Sequence, residues 1–338
     1  MAWTLVALAA RAGRALGGRH VFLSDDSVGK ASTLASAASD RPDVFARRCA
    51  RRIAESSFAD AKALETALSE MGQDAPVIER AVASGAPLEA VAALAATWNS
   101  LDPEDRALIS HPTRRRDPGA VTWGAVRATQ VDQTTCGAAS MAMMLMMGDP
   151  FVAAWVAVGH RTAWYLPPEA VAAVVEADAV GHGLHTVADR WEALQHVMHV
   201  RVTRHGLGIA PWPRALGTPP WRLDNTTRFA GLRFRGALVD DARDDEIDAL
   251  AAHVRAAVAD GIPVPLYASG DSARGLDTVI PRHVVLVVGL DGDAFLVYEP
   301  SSGALHRLDL ESLDGGPVAA LGHWNRVAWA VLPRVRQR

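Results

Sequence analysis

Two blocks of this chain hold residue types whose spacing suits covalent chemistry. The first is QVDQTTCGAASMAMMLMM, Gln130 to Met147, which carries one of only two cysteines in 338 residues. Cys136 opens a run of high helix propensity. A helix that begins there puts the thiol where first-turn N–H groups lack helical partners, an environment that favours the nucleophilic thiolate. Gly137 keeps that turn free of side-chain bulk. The alternative is a small buried residue at a helix start, with Met141, Met144, Leu145 and Met147 as core.

A nucleophile needs a base, and the base needs something to orient it. HVVLVVGLDGDAFLVYEPSSG, the second block, offers both. His283 opens one apolar run and Glu299 interrupts the next. The two runs flank Asp291-Gly292-Asp293 and predict a hairpin. A three-residue turn there pairs Val285 with Glu299, so His283 and Glu299 share a face. A two-residue turn sends them to opposite faces. The competing reading is a strand-end histidine and a solvated carboxylate.

The elements that must position these residues differ along the chain. Residues 1–112 read as a helical domain. Leu5, Leu8 and Ala9 fit an amphipathic first helix ending at Gly17-Gly18, rather than a signal peptide, because Arg11 and Arg14 interrupt the apolar stretch. Phe45, Cys49 and Ile53 recur on one helical face, making Cys49 a core residue. Ser57 caps a helix bearing Leu64, Leu68 and Met71. Further helices follow Pro87 and Asp102-Pro103. HPTRRRDPG marks a boundary, and 119–338 reads as a second domain with an insertion at about 150–260. Helices are expected at 167–178, 188–200 and 244–260. His205 to Gly231 is rich in Gly, Pro and Trp, and reads either as a binding loop presenting Trp212 and Trp221 or as a surface excursion. IPVPLYAS reads as a strand that Pro263 and Pro265 mark as edge or irregular. ALHRLDL and HWNRVAWAVLP complete a sheet. Helices followed by an antiparallel sheet give the class α+β.

QVDQTTCGAASMAMML also resembles the nucleophile segment of the bacteriocin-processing, double-glycine leader peptidases, which are papain-like cysteine peptidases. Gln130, Val131, Asp132, Cys136 and Gly137 match position by position. The second block resembles that family's histidine strand, hairpin and Asp-Pro turn, with His283 on the histidine and Glu299-Pro300 in place of Asp-Pro. The resemblance implies a papain-like domain and thiol-dependent hydrolysis of a peptide or amide bond. It implies Cys136 as nucleophile, His283 as base, Glu299 as its orienting group, and the Gln130 amide with the Cys136 N–H as oxyanion donors. Asp132 and Gly137 join Trp212 and Trp221 as candidate substrate contacts. Three features depart from the pattern: Thr135 replaces a frequent aspartate, Glu299 is one methylene longer than aspartate, and no fused membrane transporter is present. Acyl transfer to an amine and a catalytically inactive, peptide-binding papain-like module are the alternatives.

The net charge of −4 gives no footprint for nucleic acid. No stretch has the length and apolarity of a membrane span. Two cysteines build neither a disulfide framework nor a cysteine zinc site, which fits a reducing, cytoplasmic setting. His182 and His185, and His196 and His199, have metal-compatible spacing but no completing ligand nearby, so neither metal nor cofactor is expected. The expected partners are a peptide or protein substrate and a protein docked on the helical N-terminal domain.

Overall fold

The computed structural model describes residues 4–15, 42–113, 117–159, 165–204, 218, 219, 222, 223, 228–270, 281, 283–311, 313 and 315–334. Trp212 and Trp221, most of the His205–Gly231 stretch, the Gly17-Gly18 stop and Arg114–Arg116 lie outside these residues.

Among the described residues six helices come first: α1 (Leu5–Ala15), α2 (Val44–Glu55), α3 (Phe58–Met71), α4 (Ala75–Ala83), α5 (Leu88–Trp98) and α6 (Pro103–Ser110). Their starts follow local chemistry. The Asp43 carboxylate accepts from the N–H groups of Phe45 and Ala46, and the Ser57 hydroxyl accepts from Asp60 N–H. Gly72, at φ +54°, ends α3 in a conformation that disfavours a side chain. Cys49 is buried with Leu64, Ile78, Leu94, Trp98 and Ile109, and that cluster also takes in Phe151 and Ala154 from beyond the helix that starts at Cys136. Burial pushes the Cys49 thiol up to about 11.

The rest of the chain is built on a seven-stranded antiparallel sheet, which makes the class α+β. Its strands run β1 (Gly119–Ala120), β8 (Ala304–Leu308), β7 (Ala294–Glu299), β6 (His283–Asp291), β5 (Val264–Ser269), β9 (Arg326–Pro333) and β4 (Phe234–Leu238) from edge to edge. A two-stranded ladder, β2 (Thr122–Trp123) with β3 (Val126–Arg127), stands apart. α7 (Cys136–Gly148) packs on β6 and on α10 (Val187–Thr203). A short α8 (Pro150–Ala153) follows it, passing into one π-helical turn at Ala154–Val158. α9 (Pro168–Ala179) pairs with α10, and α11 (Asp244–Ala259) covers β5, β6 and β9. Arg228 ties these pieces together, with Nη2 at 2.7 Å from Asp149 Oδ2 and 2.8 Å from Glu169 Oε2.

α7 has no polar face because every side is covered, which is why its apolar residues show no helical period. Among the described residues no single helix is long and apolar enough to cross a membrane. The pair Cys136–Gly148 and Pro150–Val158 reaches that length only across a 114° bend.

Two local alternatives are decided by the fold. β5 is a central strand, paired with β6 and β9, and is not at an edge. Pro265 is tolerated because it pairs with Leu286 of β6 while the β9 pairing starts one residue later, at Leu266. The irregularity announced by the prolines is present as a register shift between Tyr267 and Ala268. The β6–β7 turn is the shorter of the two alternatives the sequence allowed. Asp291 pairs with Ala294, so the loop is the two residues Gly292-Asp293, with Gly292 at φ +61° as a primed hairpin turn requires.

Candidate active site

A two-residue turn in a regular ladder would set His283 and Glu299 on opposite faces of the sheet. They nevertheless meet, because the register shifts between Val287 and Gly289: Gly289 pairs with Leu296, but Val287 pairs with Val297. Val288 is the extra residue of a β-bulge, and it restores the shared face. His283 Nε2 lies 2.7 Å from Glu299 Oε1.

The extra methylene of Glu299 is absorbed by the turn that follows. Its Oε1 accepts from Ser301 N–H at 2.7 Å and its Oε2 from Ser302 N–H at 2.6 Å. Burial alone would raise this carboxyl; the bonds from His283, Ser302 and Ser301 outweigh burial and hold it down at about 2.

Cys136 is the first residue of α7 and lies close enough to His283 to raise the pKa of its imidazole. Burial disfavours the imidazolium, but the nearby Cys136 and the bond to Glu299 prevail and raise His283 to about 9. The three side chains are nearly sealed, with relative exposures of 1% for Cys136, 7% for His283 and 3% for Glu299.

Helix and strand are joined directly. Ser140, one turn beyond the cysteine, donates from Oγ to Val284 O at 3.1 Å. The opposite side of the imidazole rests on Gly322, where a Cβ would lie 2.6 Å from Cδ2 and Nε2 of His283.

Gln130 lies on a segment docked to the turn after Glu299. Its N–H donates to Pro300 O at 2.8 Å, and Tyr298 Oη donates to Ala128 O at 2.6 Å. Buried Gln195 straddles the segment: its Oε1 accepts from Val131 N–H at 3.1 Å and its Nε2 donates to Thr129 O at 3.2 Å. The Gln130 side chain accepts from Ser301 Oγ at 3.1 Å and donates from Nε2 to Asp132 O at 2.7 Å. One amide hydrogen then has no partner among the described residues.

Asp132 serves the loop that leads into α7. Its Oδ1 accepts from the N–H and hydroxyl of Thr134, both at 2.7 Å. Burial opposes ionisation, yet these bonds keep the carboxyl below its usual range. Thr135, where the resembled family often has aspartate, uses its hydroxyl to bond the Asp132 backbone. Gly137 is required by close packing: a Cβ there would lie 2.5 Å from Thr218 Cβ and nearer still to its Oγ1.

Cys136, His283 and Glu299 are thus brought together, and Gln130 is held against Ser301 of the adjoining turn. Ser140, Gln195, Ser301, Ser302, Gly322 and Thr218 were not singled out in the sequence. Their contacts are long-range or fall in turns, and only the Ser-Ser-Gly after Glu299 carried a local signal, that of a tight turn.

His196 is exposed, 3.7 Å from Glu176, whereas His199 is buried. Among the described residues no three His, Cys, Asp or Glu converge as metal ligands. No family model, curated protein or solved structure matches this chain.

Proposed function

We propose that this protein is a papain-like thiol hydrolase of peptide or amide bonds. The observation that carries the reading is the buried trio in which His283 bonds Glu299 at 2.7 Å and has Cys136 close enough to raise its pKa. In this reading the proton of the pair rests on His283, and Glu299 fixes the ring's orientation and stabilises its charge. Cys136 Sγ attacks the acyl carbon and its electron pair forms the C–S bond. As the C–N bond breaks, His283 passes its proton to the leaving amine. A water, deprotonated by His283, then attacks the thioester and expels Cys136 as thiolate, releasing the acid and restoring the thiolate beside protonated His283. The Cys136 N–H and the remaining Gln130 amide hydrogen are the donors proposed for the oxyanion. One such donor is worth about 3–4 kcal/mol of barrier.

The test is the rate of Cys136 alkylation by iodoacetamide against pH, in native protein and in His283→Ala. An activated thiol alkylates well below the ordinary cysteine pKa of about 8.5, and the substitution removes that advantage. A rate that follows free cysteine in both proteins sinks the enzyme reading and leaves a peptide-binding module. Incubating the active protein with a glycine-rich peptide and a primary amine then separates hydrolysis from acyl transfer by product mass.

A further inference from the structure

Thr218 belongs to the Gly- and Pro-rich stretch that the sequence left divided between binding loop and surface excursion. It is 5% exposed, and its Oγ1 is fully buried without a hydrogen-bond partner among the described residues. Buried hydroxyls are seldom left unpaired, because the lost hydration is not recovered. Its position is specific. Thr218 packs on the first turn of α7 at Gly137, the residue after the nucleophile, so closely that only a glycine fits. The backbone N–H groups of that turn have no partners within the helix. An unpaired hydroxyl and a set of helix-start donors therefore lie together beside Cys136. Pro219, also buried, follows Thr218 and restricts its backbone to extended conformations.

We propose that Thr218 is a substrate-binding residue, whose hydroxyl pairs with an amide group of the acyl donor adjacent to the carbon that Cys136 attacks. This rests on the thiol-hydrolase reading. A hydroxyl both donates and accepts, so it can meet either the N–H or the C=O of such a group.

Two thiol reagents distinguish binding from mere access. Iodoacetamide carries an amide beside its reacting carbon; methyl methanethiosulfonate carries none. Peptide mapping assigns modification to Cys136 and not to Cys49. Thr218→Val keeps the shape and removes the hydroxyl, and Thr218→Ser keeps the hydroxyl. Thr218→Val is expected to slow iodoacetamide about tenfold, the size of one hydrogen bond, and to leave the thiosulfonate rate within about twofold, with Thr218→Ser near wild type for both. Equal slowing of both reagents makes Thr218 a packing or access residue and overturns the proposal, as does an unchanged iodoacetamide rate. The thiosulfonate rate also checks the underlying reading. If at pH 6 it is no faster in wild type than in His283→Ala, the hydrolase assignment fails and takes this proposal with it. If it is faster while Thr218→Val changes nothing, this proposal alone fails.

Discussion

His283 Nε2 and Glu299 Oε1 lie 2.7 Å apart across a hairpin whose tight turn, in a regular ladder, would have separated them. One bulged residue, Val288, reconciles turn and pair. Deleting Val288 is expected to leave a folded chain, since Val284 through Val287 are buried on both faces of the strand and tolerate exchange. The deletion turns His283 away from Glu299. Nuclear magnetic resonance titration of His283 should show its pKa fall from about 9 toward or below the ordinary 6.5. An unchanged titration would show that the bulge does not set the contact.

Glu299 acts as a charged acceptor held by two backbone N–H groups. Glu299→Gln removes the charge and keeps the length, at a cost of roughly 1.5–3 kcal/mol for a charge-assisted bond. Cys136 alkylation at pH 6–7 should fall about tenfold to a hundredfold. Glu299→Asp keeps the charge but lacks the methylene that spans from the Ser301–Ser302 turn to the ring. Its rate should lie between those of wild type and Glu299→Gln.

The pair also links stability to pH. His283 is raised from 6.5 to about 9, so its contribution is full below pH 6.5 and is lost as pH climbs through 9. Glu299 is depressed from 4.5 to about 2, so its contribution is full above pH 4.5 and is lost as pH falls through 2. The advantage of wild type over His283→Gln in urea unfolding should therefore be greatest between pH 4.5 and 6.5. It should shrink by roughly 2–3 kcal/mol by pH 10. A constant difference across that range would count against an ionised pair.

Gly322 presses its backbone against the imidazole and has φ +64°. Gly322→Ala meets both obstacles, a strained backbone and a Cβ at 2.6 Å from the ring. It should destabilise the fold by about 1–3 kcal/mol and displace His283. The combined signature is a lower melting temperature together with a loss of alkylation at neutral pH. Loss of stability with the full alkylation rate would mean that the ring relaxes without moving off the thiol.

What the sequence determined by itself was local. The helix cap at Ser57, the buried face of α2 with Cys49, the order of helices before sheet, and the hairpin between two apolar runs all rest on interactions within a few residues. The pairing of a helix-start cysteine with His283 and Glu299 was legible as residue types and as a resemblance, but not as geometry. Strand parity is a count, and neither the turn length nor an unpaired Val288 leaves a mark in an apolar run; the two departures cancel only in the folded ladder. Pro263 and Pro265 left open whether β5 was an edge or an irregular strand; it is central and irregular, because sheet order is settled by which strands pack together, not by either strand alone. Ser140 on Val284, Gln195 around Gln130, Gly322 under the imidazole and Thr218 on Gly137 are contacts between distant segments. Only tertiary packing, which trades chain entropy for burial across the whole domain, decides them.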